Sequence, residues 1–185
     1  MDKFIKESDF NWLMLPVPDI NNERPWMELI HVANGNAYAT DGHRMHVAPC
    51  KLVDGSYHPY ELRESLDFER EPPAPVEDRA FDVSKLRLAM IRRAGKAFNP
   101  ASEVTASDFY VQNGFYGQLV PKDRSSIFQR IYVLEATFGM STKGQTILHV
   151  HTKDDGENFM YASDGERSFV VMGIRLDEES GCGRL

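Results

Sequence analysis

One stretch of this chain occurs twice, and a duplication constrains a fold more than any composition can. Asn36-Ala37-Tyr38-Ala39-Thr40-Asp41-Gly42-His43-Arg44-Met45-His46-Val47 is echoed by Asn158-Phe159-Met160-Tyr161-Ala162-Ser163-Asp164-Gly165-Glu166-Arg167-Ser168-Phe169-Val170. Each copy sets a Tyr-Ala-(Thr/Ser) strand before an Asp-Gly turn, then Arg and strand-forming apolar residues. The approach repeats too, as Leu29-Ile30-His31-Val32 and Ile147-Leu148-His149-Val150. The expected architecture is therefore α+β, with one strand-and-helix unit used more than once.

Read in order, the first unit begins with a strand at Lys3 to Lys6, then a helix capped by Ser8 or Asp9 and stopped by Pro16 and Pro18. A polar connector through Arg24 leads to a strand at Met27 to Ala33. Asn34-Gly35 marks a hairpin, because both residues tolerate positive φ. Strands up to Asp41-Gly42 and from His43 to Pro49 complete it. Residues 51 to 79 hold turn-formers and Pro72-Pro73-Ala74-Pro75, and read as an acidic connector poor in core residues. A second unit starts at Ala80, with a helix from Lys85 to about Phe98 that sets Val83, Leu86, Met90, Ala94 and Ala97 on one side. Lys85, Arg92 and Lys96 cluster on another. Its strands are expected at Val104 to Ser107, Phe109 to Gln112 and Phe115 to Val120. The third unit places Ile127, Phe128, Ile131, Leu134 and Phe138 on the apolar stripe of a helix begun at Asp123 to Ser126. Strands at Thr146 to Lys153, Asn158 to Ser163 and Arg167 to Ile174 follow. The domain expectation is a pair of half-units, 1–60 and 80–122, joined by 61–79, then a third half-unit 123–176 and a flexible tail 177–185.

Ala39-Thr40-Asp41-Gly42-His43-Arg44-Met45 is very similar to the Ala-Thr-Asp-Gly-His-Arg-Leu stretch of the bacterial DNA polymerase sliding clamp family. Arg24-Pro25 matches a family position, and Lys51-Leu52-Val53-Asp54-Gly55 with Pro59-Tyr60 resembles a segment that closes a clamp domain. The resemblance covers most of the chain, with clear matches in the first and third units. It implies a DNA-clamp fold of strand-helix-three-strand half-units, sheets outside and helices lining a hole around duplex DNA. It further implies a homo-oligomer, partners among DNA polymerase and clamp loader, and a small phage-type version of the family. Family rings of twelve half-units would need four chains of three, or six chains of two if residues 51 to 122 are an insertion.

The charge of −7 argues against a surface coated for nucleic acid, but local basic patches decide binding. Lys85, Arg92, Arg93 and Lys96 are the helix cations expected to meet phosphates, the alternative being a solvated helix face. Arg24 carries over from the family as a DNA-facing connector residue. Arg44, with its equivalent Arg167, either faces DNA or pairs with Asp41, and the pairing is the favoured role. Asp41 and Asp164 read as turn-formers rather than as a carboxylate pair. His149 and His151 with Asp154 and Asp155, or His43 with His46, offer a metal hydrolase as a lesser reading. No phosphate loop or nucleophile elbow is present, and Cys50 and Cys182 share no metal-ligand spacing. The expectation is a non-enzymatic protein without metal or cofactor, placed in the cytoplasm because no apolar run approaches a membrane span. The alternative is a clamp-fold adaptor or mimic that binds replication proteins without encircling DNA.

Overall fold

Asn34-Gly35 makes the turn expected of it: Asn34 has φ 51 and Gly35 φ 74, positive at both positions. The turn joins strand β1 (Ile30–Ala33) to β2 (Asn36–Thr40), with His31 opposite Tyr38. The Asp-Gly turn then joins β2 to β3 (Arg44–Pro49). These assignments come from a computed structural model that describes residues 3–18, 24–76, 103–104, 109–112, 118–121, 128–138, 140, 148–151 and 159–173, with backbone alone at 103–104, 109–112, 118–121 and 148–151. The chain divides into two compact units, Met1–Ile91 and Arg92–Leu185.

In the first unit the strands run β4-β1-β2-β3, where β4 is Gly55–Tyr57. Helix α1 (Glu7–Leu13) packs on β2 and β3. Ile5, Phe10, Trp12, Leu13, Ile30, Val32, Ala37 and Ala39 are buried, and β1 is covered on both faces. Three expectations fail here for identifiable reasons. Residues 3–6 are not a strand, because Lys6 already accepts the amides of Asp9 and Phe10 and so opens α1. Met27 is not in a strand either: Pro25 starts a 3-10 turn, Pro25–Glu28, and pairing begins only at Ile30. Residues 51 to 76 are no open connector. Gly55–Tyr57 pairs with β1, and helix α2 (Pro59–Asp67) buries Leu62, Ser65 and Leu66. Pro59 sits at its first turn, where a missing N–H costs nothing. The chain then returns to the sheet where Val76 N–H donates to Ser56 O at 2.7 Å.

Among the described residues of the second unit the strands pair in two groups. Strands β6 (Phe109–Gln112), β7 (Gln118–Pro121) and β8 (Phe128–Gln129) form one. In the other, β5 (Glu103–Val104) pairs with β9 (Leu148–His151), β9 with β10 (Phe159–Ser163), and β10 with β11 (Ser168–Met172). Helix α3 covers Arg130–Phe138. Its phase differs from the expected stripe: Val133 and Ala136 are buried, while Ile131, Leu134 and Phe138 are exposed, Phe138 at 92%. Phe128 anchors this region from β8 with no exposure, and its strand conformation resets which helix residues face inward. Among the described residues no helix is long and apolar enough to cross a membrane.

Candidate nucleic-acid interface

The repeated turn is held by a dense set of polar contacts. Asp41 Oδ1 accepts the amides of His43 and Arg44, both at 2.9 Å. Thr40 Oγ1 donates to Arg44 O at 2.7 Å and accepts Gly42 N–H at 3.0 Å. The second copy repeats these bonds atom for atom. Asp164 Oδ1 accepts from Glu166 and Arg167 at 3.0 and 2.7 Å. Ser163 Oγ donates to Arg167 O at 2.9 Å and accepts from Gly165 at 3.2 Å. Both aspartates are thus acceptors for their own backbone, as short carboxylates in turns commonly are. Gly42 at φ 90 and Gly165 at φ 95 complete the turn in a region L side chains rarely enter.

Arg44 points inward. With 9% exposure, its Nε donates to Asp41 Oδ2 at 3.0 Å and its Nη2 to Leu15 O at 2.6 Å. His46, two residues on and so on the same face of β3, donates from Nδ1 to Trp12 O at 2.9 Å. Two β3 side chains therefore satisfy carbonyls at the C-terminal end of α1, where intrahelical partners run out and a cation is favoured. This is the pairing role among the two considered for Arg44. Its guanidinium ties Leu15, just after α1, to the turn that opens β3.

Arg24 points outward. It is exposed, and its guanidinium comes near Gly42 together with Met27: a Cβ built on Gly42 would be 2.9 Å from Met27 Cε and 3.6 Å from Arg24 Nη1. Sequence reading singled out Arg24 and Gly42 separately and missed that they meet. It also gave no role to Met27, which is buried and whose Cε comes nearest to Gly42. Lys85, Arg92, Arg93 and Lys96 lie outside the described residues.

His31 and His46 are structural. His31 uses both ring nitrogens, at 2.8 Å to Trp26 O and 2.8 Å to Ser56 Oγ; the carbonyl can only accept, which assigns the proton to Nε2. His46 stacks on Trp12 with ring centroids 4.2 Å apart, and burial is the main force lowering its pKa to about 4. The Trp12 carbonyl opposes that shift, Arg44 adds to it, and Asp41 opposes it. No group of three or more His, Cys, Asp or Glu side chains able to hold a metal occurs among the described residues. Side chains of His149 and His151 lie outside them.

Paired antiparallel hairpins with helices and a duplicated Asp-Gly turn define the DNA-clamp fold, of the mixed α+β class. Solved structures similar to this chain are bacterial sliding clamps. With the DNA polymerase sliding clamp of Pseudomonas aeruginosa the TM-score is 0.52 at 13% identity, over 93% of this chain and 66% of that one. The DNA polymerase III subunit beta of Borrelia burgdorferi gives 0.51 at 8% identity, over 94% and 64%. The beta subunit of Thermotoga maritima gives 0.50 at 13%, over 92% and 63%. The likeness thus spans a little under two thirds of these clamps. No family model matches the sequence, and no curated protein does.

Proposed function

We propose that this chain is a clamp-like, sequence-independent duplex DNA-binding protein that acts in replication as a processivity or tethering factor. The observation carrying the reading is the Thr/Ser-Asp-Gly turn, repeated in two hairpins of a clamp fold with the same four hydrogen bonds each time. Repeated half-units are how a short chain supplies equivalent segments to a ring. The units proposed are 1–60, 80–122 and 123–176, with other copies of the chain completing the assembly. Lys85, Arg92, Arg93 and Lys96, with Arg24, supply the phosphate contacts. A DNA polymerase or clamp loader is the protein partner, the setting is the cytoplasm, and no chemistry is catalysed.

Duplex binding by the full chain tests this. Affinity should fall steeply with salt, and changing Lys85, Arg92 and Lys96 together to Ala should flatten that dependence by about 0.9 in log-log slope per lost contact. Light scattering on a sizing column should return an oligomer, and a concentration-independent monomer would defeat the ring.

A second reading is a clamp-fold adaptor or mimic that binds replication proteins without encircling DNA. The charge of −7 and the inward, ion-paired Arg44 favour it. A monomer that fails to bind duplex at low salt yet captures a polymerase or loader would select it.

A further inference from the structure

A groove of about 850 Å³ lies between the end of α1 and the start of α2, a size that takes a short peptide segment. Phe10, Met14, Val17 and Pro18 line it from one side and Pro59 and Tyr60 from the other, so its lining is mostly apolar. Tyr60 is 77% exposed, and among the described residues neither its ring nor its hydroxyl has a stacked or hydrogen-bonded partner. A large aromatic left in water beside an apolar groove is the kind of side chain that anchors an interface. The charges of the groove are unequally matched. Arg63 is the one arginine or lysine that lines it among the described residues, and it is engaged three ways. Its Nε donates to Asp67 Oδ2 at 3.1 Å, its Nη1 donates to Asn11 Oδ1 at 2.7 Å, and its guanidinium carbon lies 5.9 Å from the centre of the Phe10 ring. Glu61 is exposed, and its carboxylate has no ion pair or hydrogen bond among the described residues. The charge left for a partner is therefore negative, and the net charge of −7 favours a partner of the opposite sign. We propose that this groove docks an extended peptide segment of a partner protein that carries an apolar side chain next to an arginine. The apolar group lies on Phe10, Met14 and Val17, and the guanidinium lies on the Tyr60 ring with Glu61 as its counter-ion. Arginine suits the site better than lysine because its planar, weakly hydrated head stacks on an aromatic face. The proposal goes beyond duplex binding and stands without it, since a groove whose open charge is a carboxylate repels phosphate.

The test is titration of the full chain with the capped dipeptide acetyl-Phe-Arg-amide, followed by NMR. The peptide should bind saturably and shift the ring signals of Tyr60 and the methyl signal of Met14. Tyr60→Ala should weaken binding about two- to fivefold, as the loss of an exposed cation–π contact does. Glu61→Gln should weaken it by a similar factor, about two- to fivefold, and added salt should erase the difference. Both side chains are exposed, so both variants should fold, which circular dichroism checks. The decisive arm exchanges charge. Glu61→Lys should prefer acetyl-Phe-Glu-amide to acetyl-Phe-Arg-amide, reversing the order shown by the unsubstituted chain, and acetyl-Gly-Arg-amide, which lacks the apolar group, should bind more weakly than acetyl-Phe-Arg-amide. Absence of saturable binding by about 10 mM peptide overturns the proposal. So does a peptide preference that Glu61→Lys leaves unaltered, or a set of shifted signals that excludes Tyr60. Neither Tyr60→Ala nor Glu61→Gln should weaken duplex binding, and a loss there would assign the groove to DNA and overturn the peptide reading. A chain that binds the peptide in this way but no duplex keeps this proposal and loses the duplex one.

Discussion

Lowering the pH from 7 to 5 should destabilise this protein through one buried imidazole. His46 has no exposed surface, stacks on Trp12, gives its Nδ1 proton to Trp12 O, and leaves Nε2 buried without a hydrogen-bond partner. A second proton on that ring would be a buried charge beside Arg44. Hence the folded pKa is depressed to about 4, against roughly 6.5 in an unfolded chain. Between those values the unfolded state binds more protons, so stability rises with pH through the window and levels off above it. The full difference is about 3 kcal/mol, of which about 2 kcal/mol is lost between pH 7 and pH 5. That corresponds to a fall of about 4–8 °C in Tm for a chain of this size. The assay compares urea or thermal unfolding of the unsubstituted protein with His46→Gln at pH 7, 6 and 5. Carboxylates common to both cancel in the difference. Equal pH slopes in the two proteins, or a His46 ring signal titrating near 6.5 in the folded state, would refute the argument.

Other outcomes follow from the same geometry. Asp41→Ala removes the acceptor of two backbone amides and strands a buried guanidinium, so it should cost about 3 kcal/mol in denaturant unfolding, against about 1 kcal/mol for Asp164→Ala in its more exposed turn. Phe128→Ala should cost about 3–5 kcal/mol, whereas Phe138→Ser should change stability by no more than about 0.5 kcal/mol, which checks the phase of α3. Leu62→Ala should cost about 2–5 kcal/mol if α2 is part of the core. Alkylation of Cys50 should be slow at neutral pH in the native protein, because burial pushes its thiol pKa up, and fast once the protein is unfolded.

The hairpins were legible because their signals are local. Asn34-Gly35 and Asp41-Gly42 dictate positive φ within two residues, and the strands between them follow. Helix α2 was not legible, because Glu61, Arg63, Glu64 and Asp67 surround an apolar stripe of only Leu62 and Leu66, so the segment reads as polar connector. The stripe of α3 was misjudged because Phe128 belongs to a strand, and a helical period counted from it carries the wrong phase. Of the two roles weighed for Arg44, the pairing role follows from the Asp41 spacing, but its reach to Leu15 O depends on where α1 ends in space. The meeting of Arg24 with Gly42 joins residues eighteen apart in the chain. No periodicity contains that contact, since it depends on where Arg24 and the turn lie in space.

The duplicated turn also makes the molecule its own reference. Thr40→Val, which keeps the methyl branch, and Ser163→Ala would each delete one hydroxyl that donates to an arginine carbonyl and accepts a glycine amide, from backbones of the same shape. What separates the sites is water: Thr40 is 4% exposed and Ser163 lies open to solvent. The gap between the two losses therefore measures what desolvation adds to a hydrogen-bonded hydroxyl, within a single polypeptide and a single experiment.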